Sequence, residues 1–220
     1  MKIRYFLSLL LLCAAVAAQE NILPQENTQV VAADAGGNSY TVTGRYNNYN
    51  TFLHITKMDL NGYLMWDTDY NNGSNQVPVS AAAGNDALVI LALQKMNGYK
   101  TFALISYSFN NYLLWNRLYD DGMNNIPVSM AIDKDGAIYV CGQVRTGNQY
   151  RAKLWKYASN GAYIWSATYD GVGNSYAQQL QMLFNGNVAL GVQVFTGTTG
   201  AGQYQQVMVM YDTNGSRLYQ

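Results

Sequence analysis

Charge is scarce in this sequence. Only 12% of the 220 residues are Asp, Glu, Lys or Arg, and the formal net charge is zero. The chain has no basic block that would neutralise phosphate groups and no acidic tail. We therefore expect neither nucleic acid nor an anionic membrane surface as a partner. Apolar residues make up 49% of the chain, which is too many for a disordered protein and predicts a folded core.

Histidine is almost absent, and its scarcity excludes metal sites built from several imidazoles. His54 is the only histidine, so Ser-His-Asp or Cys-His catalysis would have to use it. It lies in an alternating run where Ala103, Lys153 and Val207 occupy the equivalent places in other parts of the chain. We interpret His54 as a tolerated strand residue, although a residue unmatched by its repeats can also be functional. The sequence predicts no catalytic residues, no cofactor and no metal site.

Cysteine is also scarce, and one of the two cysteines lies in a segment that we expect to be removed. Lys2 and Arg4 precede an apolar run that ends in small residues at Ala18, which is typical of a cleaved secretory signal at residues 1–18. The run is shorter than the roughly 20 apolar residues that span a bilayer. An N-terminal membrane anchor is the alternative interpretation. We expect a secreted protein with no membrane span after the signal is removed.

The remaining cysteine, Cys141, lies in an apolar, strand-like run. A lone cysteine cannot form an internal disulfide, and its surroundings predict a buried, unreactive thiol. Residues 19–27 are polar, contain Pro24 and show no periodicity, so they are interpreted as an extended lead-in.

No segment after the signal shows the sustained apolar period of about 3.6 residues that marks a helix. Instead, Trp66, Trp115 and Trp165 lie 49 and 50 residues apart, and Tyr219 takes the corresponding place 54 residues later. Aligning on these aromatic residues gives four repeat units at 28–76, 77–125, 126–175 and 176–220. Each unit contains four strand-like runs separated by turns rich in Asn, Asp and Gly.

Four antiparallel strands repeated every 49 residues or so indicate the blades of a propeller. The predicted fold is an all-β propeller of four four-stranded antiparallel blades. A solenoid is the structural alternative, but its coils are usually shorter and use parallel strands, which tight hairpin turns would not give. The sequence is compatible with a closed ring and with an open or incomplete one.

The repeated aromatic residues are predicted to be structural blade anchors. A Trp side chain buries about 150 to 250 Å² and recurs here once per blade at one strand position, which favours packing between adjacent blades. A row of sugar-stacking faces is the alternative. The predicted anchors are Trp66, Trp115, Trp165 and Tyr219.

Two pairs of acidic residues stand out, but neither has the surroundings that its chemistry requires. Asp133 and Asp135 in D-K-D-G resemble half of a calcium loop, yet the six to eight oxygen ligands that calcium takes are not supplied. A polar turn is favoured there. Asp120 and Asp121 are adjacent and diverge on any strand, so they do not form a pair of catalytic carboxylates.

The third repeat carries the pattern D-K-D-G at Asp133, Y-V-C-G at 139–142 and K-Y-A-S-N-G-A-Y-I-W at 156–165. This pattern resembles the bacterial secreted β-propeller repeat family often called SBBP. The resemblance extends over 28–220 and consists of repeat spacing and turn chemistry. The second unit lacks N-G before Trp115, and the fourth has no Trp. The resemblance implies an exported protein with propeller blades, in a family whose members typically carry more than four of them.

The function predicted from the sequence is non-enzymatic binding or a structural role, with a protein or a glycan recognised through blade loops. The loop at 46–50 is rich in amide and phenol groups, which makes Tyr46, Asn48 and Tyr49 the predicted ligand-contact residues. One alternative is a secreted polysaccharide hydrolase with carboxylates contributed by different blades. Another is a shortened propeller that folds only as part of an oligomer, so a homo-oligomer is allowed.

Overall fold

The computed structural model describes residues 28–96, 98–171, 173–196 and 202–219. Within these ranges the chain forms sixteen β-strands and no helix. The predicted signal sequence and lead-in, at 1–27, lie outside the described residues. In the described ranges we find no helix long and apolar enough to cross a membrane.

The strands form four separate antiparallel sheets, and in each sheet the spatial order follows the chain order. Blade 1 contains β1 (Gln29–Ala33), β2 (Ser39–Tyr46), β3 (Thr51–Met58) and β4 (Leu64–Tyr70). Blade 2 contains β5 (Gln76–Ala83), β6 (Ala87–Met96), β7 (Tyr99–Ser108) and β8 (Leu113–Tyr119). Blade 3 contains β9 (Asn125–Ile132), β10 (Ile138–Thr146), β11 (Gln149–Tyr157) and β12 (Tyr163–Thr168). Blade 4 contains β13 (Ser175–Met182), β14 (Val188–Phe195), β15 (Tyr204–Tyr211) and β16 (Arg217–Tyr219).

This architecture confirms the predicted all-β propeller of four four-stranded antiparallel blades. The first strands of successive blades contact one another, so β1, β5, β9 and β13 line the inner side of the arc. The fourth strand of each blade is paired on one side only and forms the outer edge.

Three hydrophobic cores hold the blades together, and each core lies between two neighbouring sheets. Blades 1 and 2 share the first core, blades 2 and 3 the second, and blades 3 and 4 the third. Among the described residues no core joins blade 4 to blade 1. The propeller is therefore an unclosed arc.

Short polar turns connect the third and fourth strands in the manner that their sequences predict. In blade 1 the Asp59 carboxylate accepts hydrogen bonds from the backbone N–H groups of Asn61 and Tyr63, at 2.8 and 2.9 Å. Gly62 completes the turn with a φ of 84°. Such left-handed backbone favours glycine because it has no Cβ. Asn111 takes the same place in blade 2, with a φ of 70°.

Candidate ligand pocket between the second and third blades

The three predicted tryptophan anchors lie between neighbouring blades. The ring of Trp66 is 6.0 Å from that of Tyr40 and packs on the core shared by blades 1 and 2. Trp115 and Trp165 pack on the next two cores. Each of these two rings also covers the turn before the fourth strand of the following blade. A Cβ atom added to Gly161 would lie 2.8 Å from the Trp115 ring.

Hydrogen bonds also join blade 1 to blade 2. Trp66 Nε1 and Lys57 Nζ both donate a hydrogen bond to the Phe109 carbonyl oxygen, each at 3.0 Å. The Lys57 ammonium lies 5.1 Å from the centroid of the Tyr40 ring and 3.8 Å from the Asp34 carboxylate. The buried lysine is therefore paired rather than isolated.

The same arrangement recurs between blades 3 and 4. Trp165 Nε1 and Lys156 Nζ donate to the Thr213 carbonyl oxygen at 3.1 and 2.9 Å, and Lys156 lies over the Tyr139 ring. In blade 2 the register places Ser106 where blades 1 and 3 have lysine.

The fourth predicted anchor has a different environment. Tyr219 ends β16 and is 67% exposed. Among the described residues no blade follows blade 4, so this ring has no neighbouring turn to cover. Its assignment as an anchor stays a prediction.

A cavity of about 320 Å³ opens between blades 2 and 3. We call it the aromatic pocket. Its wall from blade 2 consists of Phe102, Leu104, Arg117, Leu118 and Tyr119, and its wall from blade 3 consists of Tyr157, Gly161, Ala162 and Tyr163. Its size falls within the range of small-molecule sites, which runs from about 300 to 1,000 Å³.

Strand register positions the rings of the aromatic pocket. Phe102 and Tyr119 are cross-strand partners on β7 and β8, and their rings stack at 5.0 Å with an interplanar angle of 13°. Tyr157 and Tyr163 are partners on β11 and β12, with their rings 5.9 Å apart in an edge-on arrangement. The two pairs meet where Tyr157 contacts Tyr119 edge-on at 6.5 Å. The pocket is thus formed by aromatic rings from two separate repeats.

Phenol groups supply most of the polar chemistry of the aromatic pocket. The Tyr157 hydroxyl is buried and has no hydrogen-bond partner among the described residues. Burial, followed by the neighbouring Tyr119 and Tyr163, raises the pKa of Tyr157 well above its ordinary value. Burial is also the main cause that raises the pKa of Tyr119 to about 12. Both phenols are neutral at physiological pH, and the Tyr157 hydroxyl keeps a proton to donate.

A buried lysine lies beside the aromatic pocket. Lys153 Nζ donates to the Tyr119 hydroxyl at 3.4 Å, and that hydroxyl donates to Asp121 at 3.1 Å. The ammonium also lies 5.3 Å from the Trp155 ring centroid. Burial lowers the pKa of Lys153, while the Asp121 carboxylate acts in the opposite direction. The hydrogen bonds with Lys153 and Asp121 therefore fix the position of the Tyr119 hydroxyl.

The predicted ligand loop lies in blade 1, away from the aromatic pocket. Tyr49 is 91% exposed, Tyr46 is exposed, and Asn48 has a φ of 70°. The Asn47 side chain fixes the turn by accepting hydrogen bonds from the backbone N–H groups of Tyr49 and Asn50. The predicted residues thus form one exposed turn, whose role in ligand contact stays a prediction.

The other residues singled out in the sequence have local partners. His54 Nδ1 lies 2.7 Å from Asp69 Oδ1 on the neighbouring strand. Asp133 Oδ1 accepts hydrogen bonds from the backbone N–H groups of Asp135 and Ala137, at 3.0 and 2.8 Å. Cys141 is fully buried, and burial raises the pKa of its thiol to about 12. In the parts of the chain that the structure describes, no group of three or more His, Cys, Asp or Glu side chains could hold a metal ion.

Sequence reasoning missed the aromatic pocket because its walls come from different repeats. One signal was available: a tyrosine stands at or immediately after the end of each of the first three landmark strands, at Tyr70, Tyr119 and Tyr169. Tyr70 and Tyr169 are buried, whereas Tyr119 is only half-buried and lines the cavity. That difference depends on what the next blade places opposite each ring.

Comparison with known proteins adds support at the level of the fold. No family model matches the chain, and no curated protein does either. An apocarotenoid oxygenase from Synechocystis is similar in structure, with a TM-score of 0.51, 9% identity and coverage of 87% of this chain and 49% of that one. A Bacteroides caccae protein of unknown function has a TM-score of 0.49, 12% identity and coverage of 86% and 63%. A GH43 endo-arabinanase from Bacillus licheniformis has a TM-score of 0.43, 14% identity and coverage of 86% and 75%.

These likenesses bear on architecture alone, because the sequence identities are low. The chain spans about half to three quarters of the length of the three similar structures. The four sheets and the three cores between them, together with the likeness to the oxygenase, define the class: this chain is a β-propeller module.

Proposed function

We propose that this protein is a secreted, non-enzymatic binding module that takes a carbohydrate in the aromatic pocket between blades 2 and 3. The observation that carries the proposal is a cavity lined by four aromatic rings from two blades, with a buried phenol that lacks a partner. Export rests on the predicted signal at residues 1–18.

The walls of the aromatic pocket suit the apolar faces of a sugar ring. Aromatic side chains offer a large hydrophobic surface, and tyrosine adds a polar tip at the edge. Tyr119, which is half-buried, and the exposed Tyr163 offer this surface to a ligand, and the buried rings of Phe102 and Tyr157 pack behind them. Tyr163 is 55% exposed, which places it where an entering ligand would first make contact.

The polar groups of the aromatic pocket suit the hydroxyl groups of the same ligand. A buried hydroxyl left without a partner costs about 1 to 3 kcal/mol, so a sugar hydroxyl that reached Tyr157 would relieve that cost. Arg117 is the charged residue in the wall, and its guanidinium donates to its own neighbouring carbonyl at Asn116. The phenols of the pocket therefore favour a ligand with several hydroxyl groups.

A glycan array followed by calorimetric titration of the best ligand tests the proposal. We expect Tyr163→Ala to weaken binding by about tenfold or more, since truncation of an aromatic anchor typically costs about 2 kcal/mol or more. Tyr63→Ala is the matched control, because Tyr63 is also an exposed tyrosine, immediately before the fourth strand of blade 1. Equal affinities of wild type and Tyr163→Ala would rule out the aromatic pocket.

Tyr157→Phe separates ligand binding from folding. Removing a buried hydroxyl that has no protein partner should leave the melting temperature of the free protein unchanged or raise it. The same change should weaken glycan binding, because the pocket no longer donates a hydrogen bond from Tyr157 to the ligand. If Tyr157→Phe binds every glycan as well as wild type does, its hydroxyl does not contact the ligand.

A further inference from the structure

Arg117 lies on the face of blade 2 that packs against blade 3. It follows Trp115 by two residues on β8, and the strand register pairs it with the buried Leu104 of β7. A Cβ atom added to Gly161 would lie 2.8 Å from Arg117 Cγ, so the arginine stem lies against the turn before the fourth strand of blade 3. The two blades thus hold the stem, and the residue forms part of the wall of the aromatic pocket.

The guanidinium of Arg117 carries its charge without a carboxylate beside it. Among the described residues no Asp or Glu side chain forms a salt bridge with Arg117. Its side-chain hydrogen bond goes to the Asn116 carbonyl oxygen at 2.9 Å. An arginine has five N–H donors in a planar fork and stays protonated throughout the ordinary pH range. The remaining donors of the fork are therefore open to a ligand.

The carboxylates that follow β8 are engaged by other groups. Asp120 accepts a hydrogen bond from the Tyr99 hydroxyl at 2.6 Å. Asp121 accepts one from the Tyr119 hydroxyl at 3.1 Å and one from the Asn125 amide at 2.6 Å. The buried lysine beside the pocket donates to that same Tyr119 hydroxyl and balances the charge of Asp121. The charge of the guanidinium in the pocket wall is therefore left uncompensated.

The next interface along the arc shows how this chain neutralises an arginine. Arg217 on β16 of blade 4 reaches back to blade 3, where its guanidinium donates to the Asp170 carboxylate at 2.6 Å. At the register position of Arg117 itself, blades 1 and 3 have the uncharged Thr68 and Ala167. A charge at this position is thus peculiar to the blade that forms the aromatic pocket.

We propose that the aromatic pocket takes an acidic sugar, a uronic acid, whose carboxylate pairs with Arg117. This inference rests on the proposed function and adds the class of carbohydrate. A guanidinium and a carboxylate are both planar and can form two parallel hydrogen bonds, which are stronger than bonds between neutral groups. The hydroxyl groups of the same sugar meet the Tyr157 phenol, and its apolar face meets the exposed Tyr163 ring.

Pairs of glycans that differ only in charge test the inference. The probes are oligosaccharides of galacturonic, glucuronic and mannuronic acid, each as the free acid and as the methyl ester, which keeps the stereochemistry and removes the charge. We expect the free acid of the bound sugar to bind about tenfold more tightly than its ester in calorimetric titration, because an ester cannot form the ion pair. The difference should shrink as the salt concentration rises.

Two arginine variants assign that preference to a residue. Arg117→Met keeps an unbranched stem against Gly161 and removes the guanidinium, so it should bind acid and ester with equal affinity. Arg217→Met is the matched control, because Arg217 is paired with Asp170 at the neighbouring interface, and it should keep the wild-type preference. A preference that Arg117→Met leaves unchanged would overturn the assignment.

The uronic acid and the carbohydrate pocket can fail separately. Equal binding of acid and ester by the wild-type protein, lost for both in Tyr163→Ala, would overturn the uronic acid and leave the proposed function standing. Binding of neutral glycans alone would have the same meaning. A wild-type protein that binds no glycan on the array and none of the uronic acid probes would overturn both.

Discussion

Gly161 and Gly62 occupy the same turn position in two blades, but their surroundings differ. Both have positive φ, at 78° and 84°. A Cβ atom on Gly161 would meet the Trp115 ring at 2.8 Å, whereas one on Gly62 would meet nothing within 4 Å. The glycine in the third turn is therefore needed for two reasons, backbone conformation and space, and the glycine in the first turn for only one.

Alanine substitution separates these two reasons. Gly62→Ala should destabilise the protein by about 1 to 2 kcal/mol, the cost of left-handed backbone for a residue with a Cβ. Gly161→Ala should cost about 1 to 3 kcal/mol more, because the Trp115 ring must move out of its packed position. Urea unfolding of the two variants measures both values. Equal losses would mean that Trp115 does not press on this turn.

The first turn of blade 1 shows how one side chain organises an element. The Asp34 carboxylate accepts backbone hydrogen bonds from Gly36 and Asn38 at 2.9 and 3.0 Å and one from the Tyr40 hydroxyl at 2.9 Å. Burial opposes ionisation of Asp34, but the bonds from Asn38 and Tyr40 outweigh it and lower the pKa of the carboxyl below its ordinary 3.8. The ionised form of Asp34 therefore stabilises the hairpin.

The lowered pKa of Asp34 fixes the sign of a pH effect. A carboxyl with a lower pKa in the folded state than in the unfolded state contributes stability above pH 3.8, and that contribution is lost as the pH falls through the folded value. Asp34→Asn should thus lower the free energy of unfolding at neutral pH by about 1 to 3 kcal/mol. It should also reduce the loss of stability on acidification, measured as the urea midpoint against pH. A variant with the wild-type pH profile would contradict this role.

The fourth strands are the exposed edges of the sheets, and each begins with a register shift against its neighbour. The residue passed over in the pairing is always large, apolar and exposed: Met65, Leu114, Ile164 or Leu218. A bulge twists an edge strand away from regular pairing, and this protects an open edge from adding another strand. The outer edge formed by the fourth strands thus combines exposed apolar side chains with a backbone that does not favour pairing with another strand.

At the scale of the whole molecule, the inner blades share two cores each and the end blades share one. Blade 2 contributes to the first and second cores and blade 3 to the second and third, whereas blades 1 and 4 each contribute to a single core. Stability in such a stack is close to a sum over blades and the interfaces between neighbours. The end blades should therefore open more easily than the inner ones.

Native-state hydrogen exchange measures this gradient. We expect the backbone N–H groups of β6, β7, β10 and β11 to be the most protected, because the second and third strands of both inner blades are packed on two sides. The N–H groups of β15 and β16 should exchange sooner, at a lower free energy of opening. Uniform protection across the four blades would mean that the arc unfolds as a single unit.

Much of each blade could be predicted from local sequence, because its causes are local. Asn, Asp and Gly mark turns since they supply side-chain caps and positive φ, and alternating residues mark strands with one face buried. The landmark tryptophans gave the repeat length. The aromatic pocket could not be found in this way, because Phe102 and Tyr163 approach each other only when blades 2 and 3 pack together.

The sequence by itself determined that the chain is a series of four antiparallel sheets, since hydrogen bonds within a sheet join neighbouring segments of one repeat. Only the tertiary structure decided that the arc is unclosed, that Trp115 covers Gly161, and that four rings enclose a cavity. The physical reason is that contacts between blades depend on the angle and spacing of sheets that are far apart in sequence.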